Sequence, residues 1–534
     1  MQTTRMAAIA LAGCLTAGGC GGGDGSRTER IERIRTEVEA LAEAQAAAGY
    51  ASWTTGAPSR QDSLYAAHPD LFSPDAIRLV EEALGEEQDA LQKKRLRYLR
   101  RHLVAEYLNR GSAPLADSAA DLEARAAVRS GGEVIPYRNL GARIAHELRQ
   151  ERRAALYAAA DPVLDSLNLL LRRAETRRRT LGSELGYHSP ESLASELKGY
   201  SLRSLGRTAE RVLRETEEPY RTLLAEMVRR YLGLEPEEFH RYDAALLLRG
   251  GAFDGEFPAG GLLEAGRKTW RGMGVHLDSL RGLGIDDAPR PEKNPRAVCF
   301  TVAVPTDIRL SIKPIGGRSD YDALFHELGH ALHYAHTAEF SAEFRYLGEG
   351  SLTEAYAFLS QYLLTNQAWL RLHSRMSSTA LKEYVRFRVF ERLYMLRRYC
   401  AKLLFELDFS DGISNPEAAY AGRLAAAAGA AVHPSDGRRY LVETDALFYT
   451  ASYLRGWFLE AQLNGYLTRT YGANWFENPG AGGFLRTLWE QGDRLEGDEA
   501  ARRAHFPEVA PEPLLEHLRL MLLFTARPSG AAAR

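Results

Sequence analysis

Phe325-His326-Glu327-Leu328-Gly329-His330-Ala331-Leu332-His333 is the stretch on which the reading of this chain turns. Two histidines four apart lie about 40° apart around a helix and one turn up, so both imidazoles can reach one metal ion. Glu327 projects beside them, placed to take a proton from a water on that metal. Leu324, Phe325, Leu328, Ala331, Leu332 and Ala335 recur at helical spacing. His326 stands about 200° from Leu328, off that apolar stripe. With 14 histidines in 534 residues, a chance match is on the order of a few per cent. His146-Glu147-Leu148-Arg149-Gln150 shows what chance gives: the first half of the pattern without the second histidine. One zinc ion is the expected cofactor.

Two histidines and an open position call for a third protein ligand. His336, ten residues after His326, has the metzincin spacing. That class needs a glycine where this chain has His333. On a continuing helix His336 sits about 9 Å beyond His330 and about 120° around, out of reach. Glu349, nineteen residues after His330, has the spacing of the zinc aminopeptidases related to leukotriene hydrolase. The Gly-x-Met-Glu-Asn element of those enzymes occurs nowhere in this chain. Glu354, twenty-four residues after His330, falls in the first turn of a helix predicted to run to about Leu364. Ser351-Leu352-Thr353-Glu354 also fits a capping box, in which Glu354 would serve only the helix start. Glu354 is the preferred ligand and Glu349 the alternative.

The motif, its continuation from Gly329 to His333 and the Glu354-Ala355 pair resemble thimet oligopeptidase and oligoendopeptidase F. Angiotensin-converting enzyme is a more distant relative by the same resemblance. The specific match covers residues 320–364, with a weaker one over the helical remainder. The resemblance implies a mainly α, two-lobed metallopeptidase whose deep channel admits short peptides, with a small antiparallel β hairpin or sheet beside the zinc. It also implies a tyrosine or histidine from a late helix that stabilises the oxyanion. Tyr449 and Tyr453, four apart in a helical stretch, are the candidates; aromatic packing on Trp457 and Phe458 is the plainer account of both. The family's further tyrosine position falls on Gly456, and its upstream histidine has no counterpart beyond His433, in a turn. His333 is expected to support the site or to pack near it, and not to be a ligand, because two histidines and a glutamate complete the set.

The remaining composition narrows the class. Lysine and arginine number 68 against 70 acidic residues, a formal charge of −2 that gives no electrostatic case for nucleic acid. No apolar run approaches the roughly 18 to 20 residues of a spanning helix. The N-terminus reads as an address: Arg5, a short apolar stretch of small residues, Cys14, then Cys20 and Gly21 to Ser26. It resembles a bacterial lipoprotein signal, with a plain secretory signal as the alternative. Leu11-Ala12-Gly13-Cys14 fits the lipobox better, whereas Cys20 leaves a more usual apolar length and a flexible tether, and is preferred. The protein is therefore expected in the bacterial cell envelope, facing the periplasm or exterior, touching membrane only through that lipid. Cys299 and Cys400 alone remain in the mature part and form no disulfide framework.

The expected organisation is a signal at 1–20, a tether at 21–30, a helical lobe over 31–250 and a catalytic region over 262–525 with its core at 290–470. Ser73-Pro74-Asp75 and His188-Ser189-Pro190-Glu191 read as helix starts. Gly111 to Ala119 and Gly131 to Pro136 read as breaks, and Gly250 to Gly261 as a loop at the lobe boundary. Residues 140–181 and 189–232 read as long helical runs. Ala297 to Val304, apolar and β-branched, and Asp307 to Lys313, alternating with period two, predict an antiparallel hairpin. By the resemblance its edge would pair with substrate backbone; a hairpin that merely packs is the alternative. The function expected is zinc-dependent hydrolysis of short peptides with Glu327 as general base. The alternatives are an aminopeptidase that uses Glu349 and a non-catalytic helical lipoprotein that binds peptides.

Overall fold

The computed structural model describes residues 26–526 except residue 59. The predicted signal, both candidate lipidation cysteines and the first half of the tether lie outside them. The N-terminal helix Arg27–Thr55 begins inside the stretch assigned to the tether, because Ser26 and Glu29 form a capping box that starts it.

Helices make up 72% of the described residues and strands 5%, so the fold is mainly α, as expected. Three expectations about its helices are corrected, the run read as 189–232 being four pieces, Pro190–Lys198, Leu202–Glu215, Glu217–Met227 and Val228–Leu232. The supposed break at Gly111 to Ala119 lies inside one helix, Ala90–Arg125, which carries Pro114 internally. Gly111 serves packing there, since a Cβ would run into Leu181 of the neighbouring helix Asp161–Glu184. The run read as 140–181 is three helices, Tyr137–His146, Gln150–Ala158 and Asp161–Glu184. Part of the 150–184 stretch is also long and apolar enough by composition to cross a membrane, which the sequence reading overlooked. It is interrupted near Ala160, and Asp161–Glu184 packs against Ala90–Arg125.

Gly131 and Gly132, both at positive φ, turn a short hairpin of β1 (Ala127–Ser130) and β2 (Glu133–Pro136). The predicted later hairpin is present as β4 (Val298–Ala303) and β5 (Asp307–Ser311), antiparallel. It belongs to a larger unit. β3 (Leu283–Asp286) adds in parallel to the far side of β5, giving the order β3-β5-β4 with β4 at an edge. Ile308 and Leu310 of β5 are fully buried against the motif helix, Arg318–Ala335. The other face carries Phe300 and Arg309, covered by Tyr50 and Trp53 of the N-terminal helix.

The main buried core draws on residues from Ala194 to Met521. Phe253, Phe257 and Leu262 belong to it, so the packing does not change at Gly250 to Gly261. A second core, Ile31 to Leu197, is built by the N-terminal helices. Two smaller clusters complete the interior, one from Val128 to Tyr242 and one from Ala401 to Leu441.

Three helices of the main core lie side by side and carry the motif residues: the motif helix, the glutamate helix Ser351–Gln361 and the tyrosine helix Tyr449–Tyr471. Ser351 to Ser360 of the middle helix are all buried. Glycines set both contacts. A Cβ on Gly329 would stand 2.5 Å from Ala357 Cα and run into the Tyr356 carbonyl. One on Gly456 would stand 2.8 Å from Glu354 Cβ. The motif helix is also clamped at its N-terminal half: Arg388 of the long helix Ser378–Ser410 grips Asp322 bidentately at 2.6 and 2.7 Å.

Candidate metal centre

Helical spacing places His326 and His330 on one face, and their rings stand 5.0 Å apart at 82°. The close approach at Gly329 brings the glutamate helix across that face. Glu354 then points one carboxylate oxygen at both imidazoles, Oε2 lying 3.6 Å from His326 Nε2 and 3.9 Å from His330 Nε2. The three ligand atoms lie within 4.8 Å of one another, the one such cluster of histidine, cysteine and carboxylate groups found among the described residues.

The far side of each ligand is occupied. His326 Nδ1 meets Gln361 Oε1 at 3.1 Å, and His330 Nδ1 meets Thr353 Oγ1 at 2.8 Å. An amide oxygen only accepts, so His326 carries its proton on Nδ1 and presents a lone pair at Nε2. Tyr449 donates its hydroxyl to Glu354 Oε1 at 2.8 Å. Glu354 Oε2 is buried and has no hydrogen-bond partner. Buried carboxylate oxygens are rarely left so, and a cation between Oε2 and the two Nε2 atoms would satisfy it.

The electrostatics agree with that donor set. Burial pushes the Glu354 carboxyl up to about 7, against a smaller opposing effect of the Tyr449 hydroxyl. Burial lowers His326 to about 4, and holds His330 well below its ordinary value with His326 and His333 adding to the effect. Without a cation the cluster resists every charge placed on it, which is the condition a divalent ion relieves. The residues fit a zinc site of two histidines and a carboxylate with one position left open.

Glu327 is turned toward the sheet. Its Oε2 accepts the backbone N–H of Cys299 at 2.7 Å. Burial raises its carboxyl to about 8; the Cys299 amide works against that shift and the nearby Glu354 adds to it. The general-base candidate is therefore held by the edge strand β4 itself.

The other candidates separate cleanly. Glu349 faces away: Ser351 donates to its Oε1 through the backbone N–H at 3.1 Å, and Ser452 and Tyr200 donate to its Oε2 at 3.2 and 3.4 Å. The capping box at Ser351 does not form, since the N-cap is Gly350 and no side chain caps that end. His336 bonds back to the Leu332 carbonyl at 2.8 Å and packs on Trp489, remote from the cluster. His333 is fully buried between Tyr334 and Tyr356. Tyr449 and Tyr453 differ in kind. The first is committed to Glu354, while the second packs among Phe358, Tyr399 and Tyr449 with no hydrogen bond from its hydroxyl among the described residues.

Sequence reasoning missed Gln361, Thr353 and the Cys299 amide. Gln361 was within reach: it stands seven residues after Glu354, two turns along the same helix face. The Cys299 amide is backbone, and only strand pairing decides where it points. Gly456 has no room for a side chain, because a Cβ there would stand 2.8 Å from Glu354 Cβ.

No protein-family model matches the chain, and no curated protein compared with it matches either.

Proposed function

We propose that this chain hydrolyses peptide bonds in short peptides with one zinc ion held by His326, His330 and Glu354, in the manner of the oligopeptidases its motif resembles. The observation that carries the reading is the partnerless, buried Glu354 Oε2 facing both Nε2 atoms, with Glu327 beside them. Zinc, when bound, supplies a Lewis acid and lowers the pKa of water to about 7.

The chain's own groups do the rest. Glu327, oriented by the Cys299 amide, takes the proton of the attacking water and passes it to the leaving amine. The Tyr453 hydroxyl, free of hydrogen-bond partners among the described residues, serves the negative charge that develops on the carbonyl oxygen. Tyr449 orients Glu354. β4, an edge strand, presents backbone groups that an extended peptide could pair with. The aminopeptidase alternative loses support because Glu349 is engaged by serine and tyrosine hydroxyls. An anchor at Cys20 or Cys14 would hold the protein to the envelope membrane.

The test is metal analysis with a panel of quenched peptides, with ends free or blocked. Glu327→Gln should keep its zinc and lose hydrolysis. Retained hydrolysis would remove Glu327 as the base, and a zinc-loaded wild type that cleaves no peptide would end the proposal.

A further inference from the structure

The tyrosine helix starts without a capping side chain. Its N-cap is Phe448, at φ 55°, and Leu447 before it stands at φ 51°. Two consecutive left-handed residues that carry side chains are strained, and persist only where the surroundings hold them.

A buried acid that the hydrolysis does not use stands against this start. Glu406, on the long helix Ser378–Ser410, is 3% exposed. Its Oε1 accepts the backbone N–H of Asp445 at 3.0 Å and lies 2.9 Å from Thr450 Oγ1. Thr450 is fully buried in the first turn, next to Tyr449. Its Oγ1 also lies 3.0 Å from Asp445 Oδ2, which accepts from Lys402 Nζ at 2.7 Å.

A hydroxyl between two carboxyl groups has one hydrogen to give. Both contacts are hydrogen bonds only if one of the two acids brings a proton of its own. Lys402 keeps Asp445 charged, so the proton belongs to Glu406, and the chain runs from Glu406 Oε1 through Thr450 Oγ1 to Asp445 Oδ2. Glu406 Oε2, buried and without a hydrogen-bond partner, suits a neutral acid. No metal-binding set among the described residues includes it. Burial pushes this carboxyl up to about 7, against the opposing charge of Lys402, with Asp445 adding to the rise. Lys402 and Tyr399 face it from its own helix, Asp445 from the segment before the tyrosine helix, and Lys198 from the helix Pro190–Lys198. Glu175, Arg178, Arg179 and His188 share with it the wall of a cavity of about 430 Å³, both arginines being turned to Glu175.

Resting on the peptidase reading, we propose that Glu406 is a positioning residue whose neutral form ties Thr450 to Asp445 and so fixes the turn from which Tyr449 reaches Glu354 and Tyr453 the oxyanion. Ionisation removes the bond from Glu406 to Thr450 and sets a second anion against Asp445. The tie is therefore complete well below pH 7 and is lost as pH rises through it.

Hydrogen exchange over residues 445–453 of the metal-free, full-length protein tests the tie apart from any chemistry. Corrected for the intrinsic rate, exchange in the wild type should quicken about tenfold between pH 6 and pH 8. It should stay level in Glu406→Gln, which is neutral throughout. Asp445→Asn removes the neighbouring anion and should move the transition to lower pH. With zinc bound, kcat of Glu406→Gln relative to wild type should rise by a similar factor over the same range, because every other titration is common to both proteins. Exchange that quickens as steeply in Glu406→Gln, or is level in the wild type, would overturn the assignment whatever the peptides show. No hydrolysis by either protein, with the exchange difference present, would bring down the peptidase reading instead.

Discussion

Replacing Gly329 by alanine tests the geometry of the site without touching a ligand. The new Cβ would lie 2.5 Å from Ala357 Cα and 2.7 Å from Ala357 N, and would run into the Tyr356 carbonyl. Ordinary contact needs about 3.5 Å, so the motif and glutamate helices must part by about 1 Å. All of these atoms are backbone, so no side chain can swing aside. Overpacking of this kind costs about 1–3 kcal/mol, partly offset by about 1 kcal/mol from the better helix propensity of alanine. The metal site should suffer more than the fold. A shift of about 1 Å in Glu354 relative to the two histidines far exceeds the roughly 0.2 Å tolerance of a metal–ligand bond. Zinc affinity should fall by at least tenfold, while melting temperature drops only a few degrees. Chelator competition gives the first quantity and a thermal melt of the metal-free protein the second. Gly422→Ala, on a helix with nothing within 4 Å of the added methyl, is the control and should be neutral or stabilising. Wild-type zinc affinity in Gly329→Ala would refute the argument that this crossing places the third ligand.

Three further outcomes follow from the same geometry. Zinc content measured by mass spectrometry should collapse in Glu354→Ala and persist in Glu349→Ala, and the reverse would restore the aminopeptidase arrangement. Tyr453→Phe should lower kcat by ten- to a thousand-fold with zinc affinity unchanged, whereas Tyr449→Phe should weaken zinc binding, because only the second hydroxyl touches a ligand; identical effects on both quantities would erase the distinction. Asp493 is buried, and desolvation raises its carboxyl from 3.8 to about 7 against the opposing Gly348 N–H, with Glu349 adding to the rise. The folded state therefore binds this proton more tightly than the unfolded chain, so its contribution is full below about pH 4, declines as pH rises, and is gone above about 7. Between pH 5 and 8 the wild type should lose about 2–3 kcal/mol that Asp493→Asn does not lose, read from denaturant titrations at both pH values; a pH-independent difference would contradict this.

Much was legible in the chain alone, and for local reasons. The helix of His326 and His330 follows from spacing within a single turn. Its apolar stripe was equally local, with Leu324, Phe325 and Ala331 all fully buried in the fold. The strand β5 announced itself through period-two alternation and β4 through an apolar, β-branched run. β3 did not, since a four-residue strand pairing in parallel across a long connection leaves little pattern. The glycines misled because their two uses look alike in sequence. Gly111 was taken for a break but admits a neighbouring helix, as Gly329 and Gly456 do.

The sequence by itself determined that two histidines with an adjacent glutamate sit on one face of a helix, because every residue involved lies within five positions. Which glutamate completes the set was left between Glu349 and Glu354. The tertiary structure turns Glu354 toward both imidazoles through the crossing at Gly329, while Ser351, Ser452 and Tyr200 hold Glu349 away. Likewise only the fold could part Tyr449 from Tyr453, or bring the Cys299 amide to Glu327 and Glu406 to Thr450. Those contacts join residues 28 and 44 positions apart, and no local spacing encodes them.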